Sequence, residues 1–400
     1  MKKTALALVA AITGVFSSCS GKTEADFSIV PVKGSGGNYQ YIDIAKKGKI
    51  VISPKFRRAN IFRDGLALVE TDNGKYGYID KKGEFAITPV YDVAQNFNEG
   101  MAWVQMEDQP PMLIDKKGQV LLQIDSLTAA MPYYEGIANV GYYTNGQEYF
   151  MHIDKKGRPV TTIVDGEQIG FIAEGIYAYG NAGTRKWGYK NKKGDVVVKE
   201  QFDNIRPFHD GMAVVESDGK WGVINKKGEY LINPQYDDLR YDSDGLFRAK
   251  IDKKYGWINN KGENVINPQY DGALFFNGNK LAPVQVENKW AYIDRKGQIA
   301  IEPQFETALP FNGKYAMVLN NKAGFINSKG EFAVPPLYSS NADNVFEYLL
   351  AGEQNTLGIP ARRDKNIKFN SYKQLKEKQK AWRAAQADTT RQTKAKVTAE

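Results

Sequence analysis

Lys220 to Asp237 reads KWGVINKKGEYLINPQYD, and this stretch decides the fold. Trp221, Val223 and Asn225 alternate with Gly222 and Ile224, the period-two pattern of a strand with two unlike faces. Asn225-Lys226-Lys227-Gly228 follows as a turn. Its Asn can bond the backbone two residues on, and its Gly accepts the positive φ that a tight hairpin needs. Glu229 to Ile232 returns as a second strand. Pro234, which has no N–H to donate to a ladder, ends it.

The same stretch recurs along most of the 400 residues. Anchored on the hairpin glycine, it appears at Gly48, Gly83, Gly118, Gly157, Gly194, Gly228, Gly262, Gly297 and Gly330, at intervals of 33 to 39 residues. Eight of these nine glycines have Asp or Asn three residues earlier. A Pro-x-aromatic corner follows the return strand, as in Pro54/Phe56, Pro234/Tyr236 and Pro303/Phe305. An aromatic, an acid or amide and a glycine come next, as in Phe97-Asn98-Glu99-Gly100 and Phe208-His209-Asp210-Gly211. A short apolar strand such as Met212-Ala213-Val214-Val215 closes the period. Met112 to Ala178 is the most eroded part, without the Lys-aromatic-Gly triplet or the Pro corner.

The repeat resembles the WG-repeat family of bacterial proteins. The resemblance rests on Trp187-Gly188 and Trp221-Gly222, with substituted versions at Tyr76-Gly77, Tyr255-Gly256, Trp290-Ala291 and Ala323-Gly324. It spans about Tyr41 to Tyr338 and implies a β-repeat fold and an exported or envelope setting, with no shared active site.

One three-stranded meander cannot bury its apolar face alone, so neighbouring units must stack. The expected fold is all-β: nine three-stranded antiparallel repeats over residues 38–338 in an open, solenoid-like superhelix. A closed, propeller-like toroid is the alternative, since propellers usually have four to eight blades of four strands. A cap at 339–361 and a basic tail at 362–400 complete the chain, with helical pattern at Asn341–Leu350 and Lys373–Ala387. The tail carries twelve Lys/Arg against four Asp/Glu, whereas residues 19–361 sum to −2. The high overall charge is therefore a tail property.

Residues 1–18 read as an export signal: Lys2 and Lys3, then an apolar core too short to span a bilayer, which takes roughly twenty residues. Cys19 is the only cysteine. Phe16-Ser17-Ser18-Cys19 resembles a lipoprotein signal, and that resemblance implies lipidation at Cys19 and an outer-membrane location. Residues 19–37, polar and Gly/Ser-rich, read as a flexible tether.

Little material for catalysis is present. His152 and His209 are the only histidines. Asp242-Ser243-Asp244-Gly245 begins like a calcium loop, but its twelfth position is Lys253 rather than Glu. No metal, no cofactor, no nucleic-acid partner and no enzyme activity are expected. Trp187, Trp221, Trp257 and Trp290 come from successive repeats. They form either an inter-repeat core or an exposed stripe for a glycan or protein partner. The reading is a non-catalytic envelope lipoprotein that displays a protein-binding face, with a glycan-binding lipoprotein as the alternative.

Overall fold

The computed structural model describes residues 25–339, apart from 126, 145–146, 162–166, 182 and 278. The Cys19 region, the cap and the basic tail lie outside the described residues. Nine antiparallel sheets follow one another along the chain. Blade 6 shows the pattern: Asn204–Ile205, Met212–Ser217, Lys220–Asn225 and Tyr230–Tyr236, hydrogen-bonded in that order. Blade 7 spans 238–270, blade 8 spans 272–305 and blade 9 spans 307–339, each with four strands. Blade 1 (29–56) and blade 4 (127–154) have three strands, and blade 2 (58–91) gains a fifth, Ala25–Asp26. Blade 3 spans 93–123 and blade 5 spans 167–202.

The expected three-stranded unit is thereby corrected to a four-stranded one. The added strand is only two residues long in blades 6, 8 and 9. It directly follows the Pro-x-aromatic corner. The sequence repeat and the blade are also out of phase: Lys-Trp-Gly to the corner finishes one blade, and the Phe-x-x-Gly turn opens the next.

Apolar side chains fill the gaps between blades rather than a common centre. Val214, Trp221 and Ile232 of blade 6 pack against Leu239, Tyr241 and Phe247 of blade 7. Trp257 and Ile266 of blade 7 meet Phe276 and Ala282 of blade 8 in the same way. Eight hairpin glycines, Gly48, Gly83, Gly118, Gly157, Gly228, Gly262, Gly297 and Gly330, sit on an aliphatic side chain of the preceding blade. A Cβ on Gly83 would stand 2.8 Å from Ile52, and one on Gly157 would stand 2.7 Å from Leu122.

The same contact closes the array. A Cβ on Gly48 in blade 1 would meet Val334 of blade 9 at 3.0 Å, and Val30, Ile42 and Ile44 share one core with Phe325 and Val334. The last strand of blade 9 touches the first of blade 1. The chain is therefore a closed nine-bladed propeller, not the open superhelix expected from the sequence. Nine alike interfaces turn one repeat through the same small angle each time, and the ninth returns to the first.

The glycine of the Trp-Gly pair answers a different need. Cβ atoms on Gly222 and Gly256 would stand 2.6 and 2.4 Å from the carbonyls of Ile232 and Ile266 in the return strand. The register shifts at this point in both blades, a bulge that brings the two backbones together. Ala291 occupies the slot in blade 8.

Candidate functional site

A four-stranded meander sends its first and third turns to one side and its second turn, with the blade-to-blade corner, to the other. The ring therefore has two unlike faces. On the first lie the acid-Gly turns and the Lys-rich hairpin turns. The acid-Gly turns, such as Asp64-Gly65, Glu99-Gly100 and Glu174-Gly175, have positive φ at both residues, the hairpin geometry that matches strand twist.

The hairpin turns are locked by their first residue. Asn225 Oδ1 accepts the Lys227 and Glu229 backbone N–H at 2.9 and 3.1 Å, and Asp80 does the same for Lys82 and Glu84. The pattern repeats at Asp115, Asp154, Asn191, Asn259, Asp294 and Asn327. These acids and amides are spent on backbone geometry, as the sequence suggested. The hairpin glycines Gly83, Gly118, Gly157, Gly194, Gly228, Gly262, Gly297 and Gly330 all hold φ between 74 and 87°.

The acid of each acid-Gly turn clasps the next blade. Glu99 accepts Gly136 N–H at 3.1 Å and pairs with Lys155 at 2.9 Å. Glu174 accepts Gly211 N–H at 3.1 Å and pairs with Lys226 at 2.8 Å. Asp64 accepts Gly100 N–H at 2.7 Å, and Asp244 pairs with Arg295 at 2.7 Å. Sequence reasoning missed these clasps, although an acid before a turn glycine at repeat spacing was the available signal. The opposite face has its own repeated pair, Lys to the corner Asp: Lys75–Asp92, Lys186–Asp203, Lys220–Asp237 and Lys254–Asp271 at 2.5 to 2.6 Å.

Asp242, which opened the calcium-like stretch, is a deeper clasp. It is buried and accepts Trp257 Nε1 at 2.8 Å, Phe276 N at 2.9 Å and Asn277 N at 3.0 Å, tying blade 7 to blade 8. Burial pushes its carboxyl pKa up, against those hydrogen bonds and the nearby Arg248. Among the described residues no cluster of His, Cys, Asp or Glu is arranged to hold a metal ion.

A second charged cluster joins blades 6 to 8. The Asp238 carboxylate meets Arg206, Arg240 and Arg248 at 3.2 to 3.5 Å. Burial would raise its pKa, but Arg248, Arg240 and Arg206 outweigh that and hold it below the usual range. Burial, with Arg240 beside it, lowers the Arg206 guanidinium to about 9. Arg206 lies 4.4 Å over the Trp221 ring, and Arg248 lies 4.3 Å over Phe275 while donating to Ala273 O at 2.8 Å. The cluster reads as a strut between blades.

The four tryptophans do not form an exposed stripe. Trp221, Trp257 and Trp290 are buried, and only Trp187 is half-buried. Trp257 also sits two residues along from the others: Trp187, Trp221, Tyr255 and Trp290 share one position, and Tyr189, Val223, Trp257 and Tyr292 the next inward-facing one. Tyr78, Tyr189 and Tyr292, at that second position, donate to the carbonyls of Gln95, Arg206 and Leu309 at 2.6 to 2.8 Å. His152 is buried, with ring nitrogens 2.8 Å from Gly170 O and 3.2 Å from Thr161 Oγ1, and burial lowers its pKa to about 4. His209 stacks on Tyr241. Cys19 lies outside the described residues.

Nine repeated blades, closed by like interfaces, define a β-propeller of repeated sequence. The chain belongs to the WG containing repeat family, which matches residues 44–76, 76–109, 187–221, 221–255, 255–290, 290–322 and 324–341. The unmatched span, 110–186, falls in the eroded repeats. No curated protein matches the chain in sequence. Among solved structures it is similar to a eukaryotic initiation factor (11% identity, TM-score 0.54, 84% of this chain and 100% of that one). It is also similar to BamB from Moraxella catarrhalis (13% identity, TM-score 0.36, 79% and 96% covered). A third is the computationally designed Ika8 protein (13% identity, TM-score 0.40, 68% and 93% covered).

Proposed function

We propose that this propeller is a non-catalytic interaction scaffold, exported and tethered to the envelope through a lipid on Cys19. The observation that carries the scaffold reading is where the chemistry is spent. Among the perturbed groups, His152, Arg206, Asp238 and Asp242 are engaged in holding blades together. The aromatics of the Trp-Gly strand and of the Pro-x-aromatic corner are largely internal. What varies between blades and stays exposed is the turn tips, such as Asp218, Lys253 and Glu287 on the face opposite the hairpin turns. A rigid ring with variable tips is suited to recognising a folded protein partner. The half-buried Trp187 and the exposed Phe150, Tyr230 and Phe332 are the features that favour a glycan instead.

Affinity capture from solubilised envelope with the full chain tests this. Reversing charge at Asp218, Lys253 and Glu287 together is expected to weaken capture of one protein at least tenfold without altering the far-UV spectrum. Capture indifferent to changes on either face, or retention on a polysaccharide with no protein recovered, refutes it. For the tether, a Cys19→Ala variant that still takes up labelled palmitate refutes lipidation at that residue.

A further inference from the structure

We propose that the ring sits with its hairpin-turn face against an anionic bilayer surface, its axis near the membrane normal. The inference rests on the Cys19 tether and adds which face meets the lipid and by what chemistry.

The first observation is where the chain enters the ring. Ala25 pairs with Arg63, one residue before the Asp64-Gly65 turn, and Asp26 pairs with Phe62. Lys81, from the hairpin turn of blade 2, reaches Asp26 at 2.5 Å. The strand Ala25–Asp26 therefore begins on the hairpin-turn face. It also lies beyond Arg58–Arg63, the first strand of blade 2, at the sheet's edge.

Chain length then limits the geometry. Six Cα steps separate Cys19 from Ala25, a reach of at most about 22 Å. Turning the ring over would take that segment across a blade and down its side. Four strands at ~4.8 Å spacing make a blade about 14 Å across, and its longer strands stand about 20 Å tall. The hairpin-turn face lies at the start of that reach, whereas the opposite face would take nearly all of it. The other end of the described chain is on the far side, where Ser339 pairs with Lys322.

Charge on that face is sorted by position. In all nine blades the residue just before the hairpin glycine is an exposed Lys, from Lys47 and Lys82 to Lys296 and Lys329. The residue before it leans inward in several blades, where Lys81, Lys155, Lys226 and Arg295 neutralise Asp26, Glu99, Glu174 and Asp244. The nine outer lysines make no ion pair with another described residue. A ring of nine ammonium groups thus stands at the turn tips, beside Asp195, Glu229, Glu263 and Glu331, whose carboxylates accept from the turn Asn side chains. Lipid phosphates match it, each lysine near such a surface contributing about fivefold to its partitioning.

The test uses the full chain reconstituted through its lipid into vesicles of phosphatidylcholine, with or without phosphatidylglycerol. A membrane-impermeant amine reagent is read residue by residue by mass spectrometry. On the anionic vesicles Lys82, Lys117 and Lys227 are expected to be labelled at least fivefold more slowly than Lys253. Equal labelling of both faces, or protection of Lys253 instead, overturns the proposal. The triple variant K82E/K117E/K227E should stay vesicle-bound through Cys19 yet lose most of the anionic-lipid protection of the remaining turn lysines, read at Lys156 and Lys193; unchanged protection there also overturns it. If Cys19 carries no lipid, the tether reading falls separately. Full chain mixed with anionic vesicles then decides the face: protection of Lys82, Lys117 and Lys227 upholds it on charge alone, and its absence overturns it.

Discussion

Removing the Asp242 carboxylate should unfasten blade 7 from blade 8. In an Asp242→Ala variant three donors lose their acceptor: Trp257 Nε1, Phe276 N and Asn277 N, which now bond it at 2.8 to 3.0 Å. The first two are buried, and a buried donor left unmatched costs roughly 1–3 kcal/mol. Relief of a carboxylate that burial disfavours offsets part of this, as its raised pKa shows. The expected net loss is about 3 kcal/mol, or very roughly 6 °C in Tm for a body of this size. Asp242→Asn should fall between, because its single oxygen keeps some of the bonds while its amide points N–H at the remaining donors. Urea unfolding followed by tryptophan fluorescence reads both variants directly. A loss below about 1 kcal/mol for Asp242→Ala would refute the clasp as a source of stability. Acidification separates it from Asp238. The folded chain holds the Asp242 proton more tightly than the unfolded chain does, so that contribution is not lost as pH falls. Asp238 has a lowered pKa, so its contribution is present above the unfolded value near 3.8 and is lost as pH drops through the folded one.

Three further outcomes follow from the same contacts. His152, lowered to about 4 by burial, stays neutral in the fold while the unfolded chain takes up a proton below about 6.5. Stability should fall by up to about 3 kcal/mol from pH 7 to 4, and His152→Phe should flatten that slope in urea titrations. Gly83→Ala and Gly219→Ala both force alanine to positive φ, yet a methyl on Gly83 meets Ile52 at 2.8 Å and one on Gly219 meets nothing within 4 Å. Gly83→Ala should therefore be the worse by about 1–2 kcal/mol, and equal losses would show that the inter-blade contact yields. Lys220→Met removes a largely exposed pair with Asp237 and should cost less than about 1 kcal/mol in thermal melts; a larger loss would make these rim pairs structural.

The hairpins were legible in the sequence because their signals are local. Asn225 to Gly228 specifies its own turn, and the observed bonds from Asn225 Oδ1 are those the residue types suggest. The short strand Asn204–Ile205 was not legible, because two residues carry no period. Closure was not legible either. Gly48 packs on Val334 as Gly83 packs on Ile52, so nothing in one repeat distinguishes a ring from a superhelix. For the site, Trp257 misled because type outweighed register: it stands two residues from the position of Trp221. Clasps such as Glu174 to Gly211 were hidden because each links turns about one repeat apart, where spacing shows similarity but not contact.

The phase offset between repeat and blade has a kinetic consequence. Because each sequence unit ends one blade and begins the next, eight of the nine interfaces join residues only a few dozen positions apart. Such contacts close short loops at small entropic cost and can form outward from any starting point. The ninth, Gly48 against Val334, must bring together nearly the whole chain. It should form last on refolding and exchange its amide hydrogens first, so the seam between blades 9 and 1 is where this circle opens.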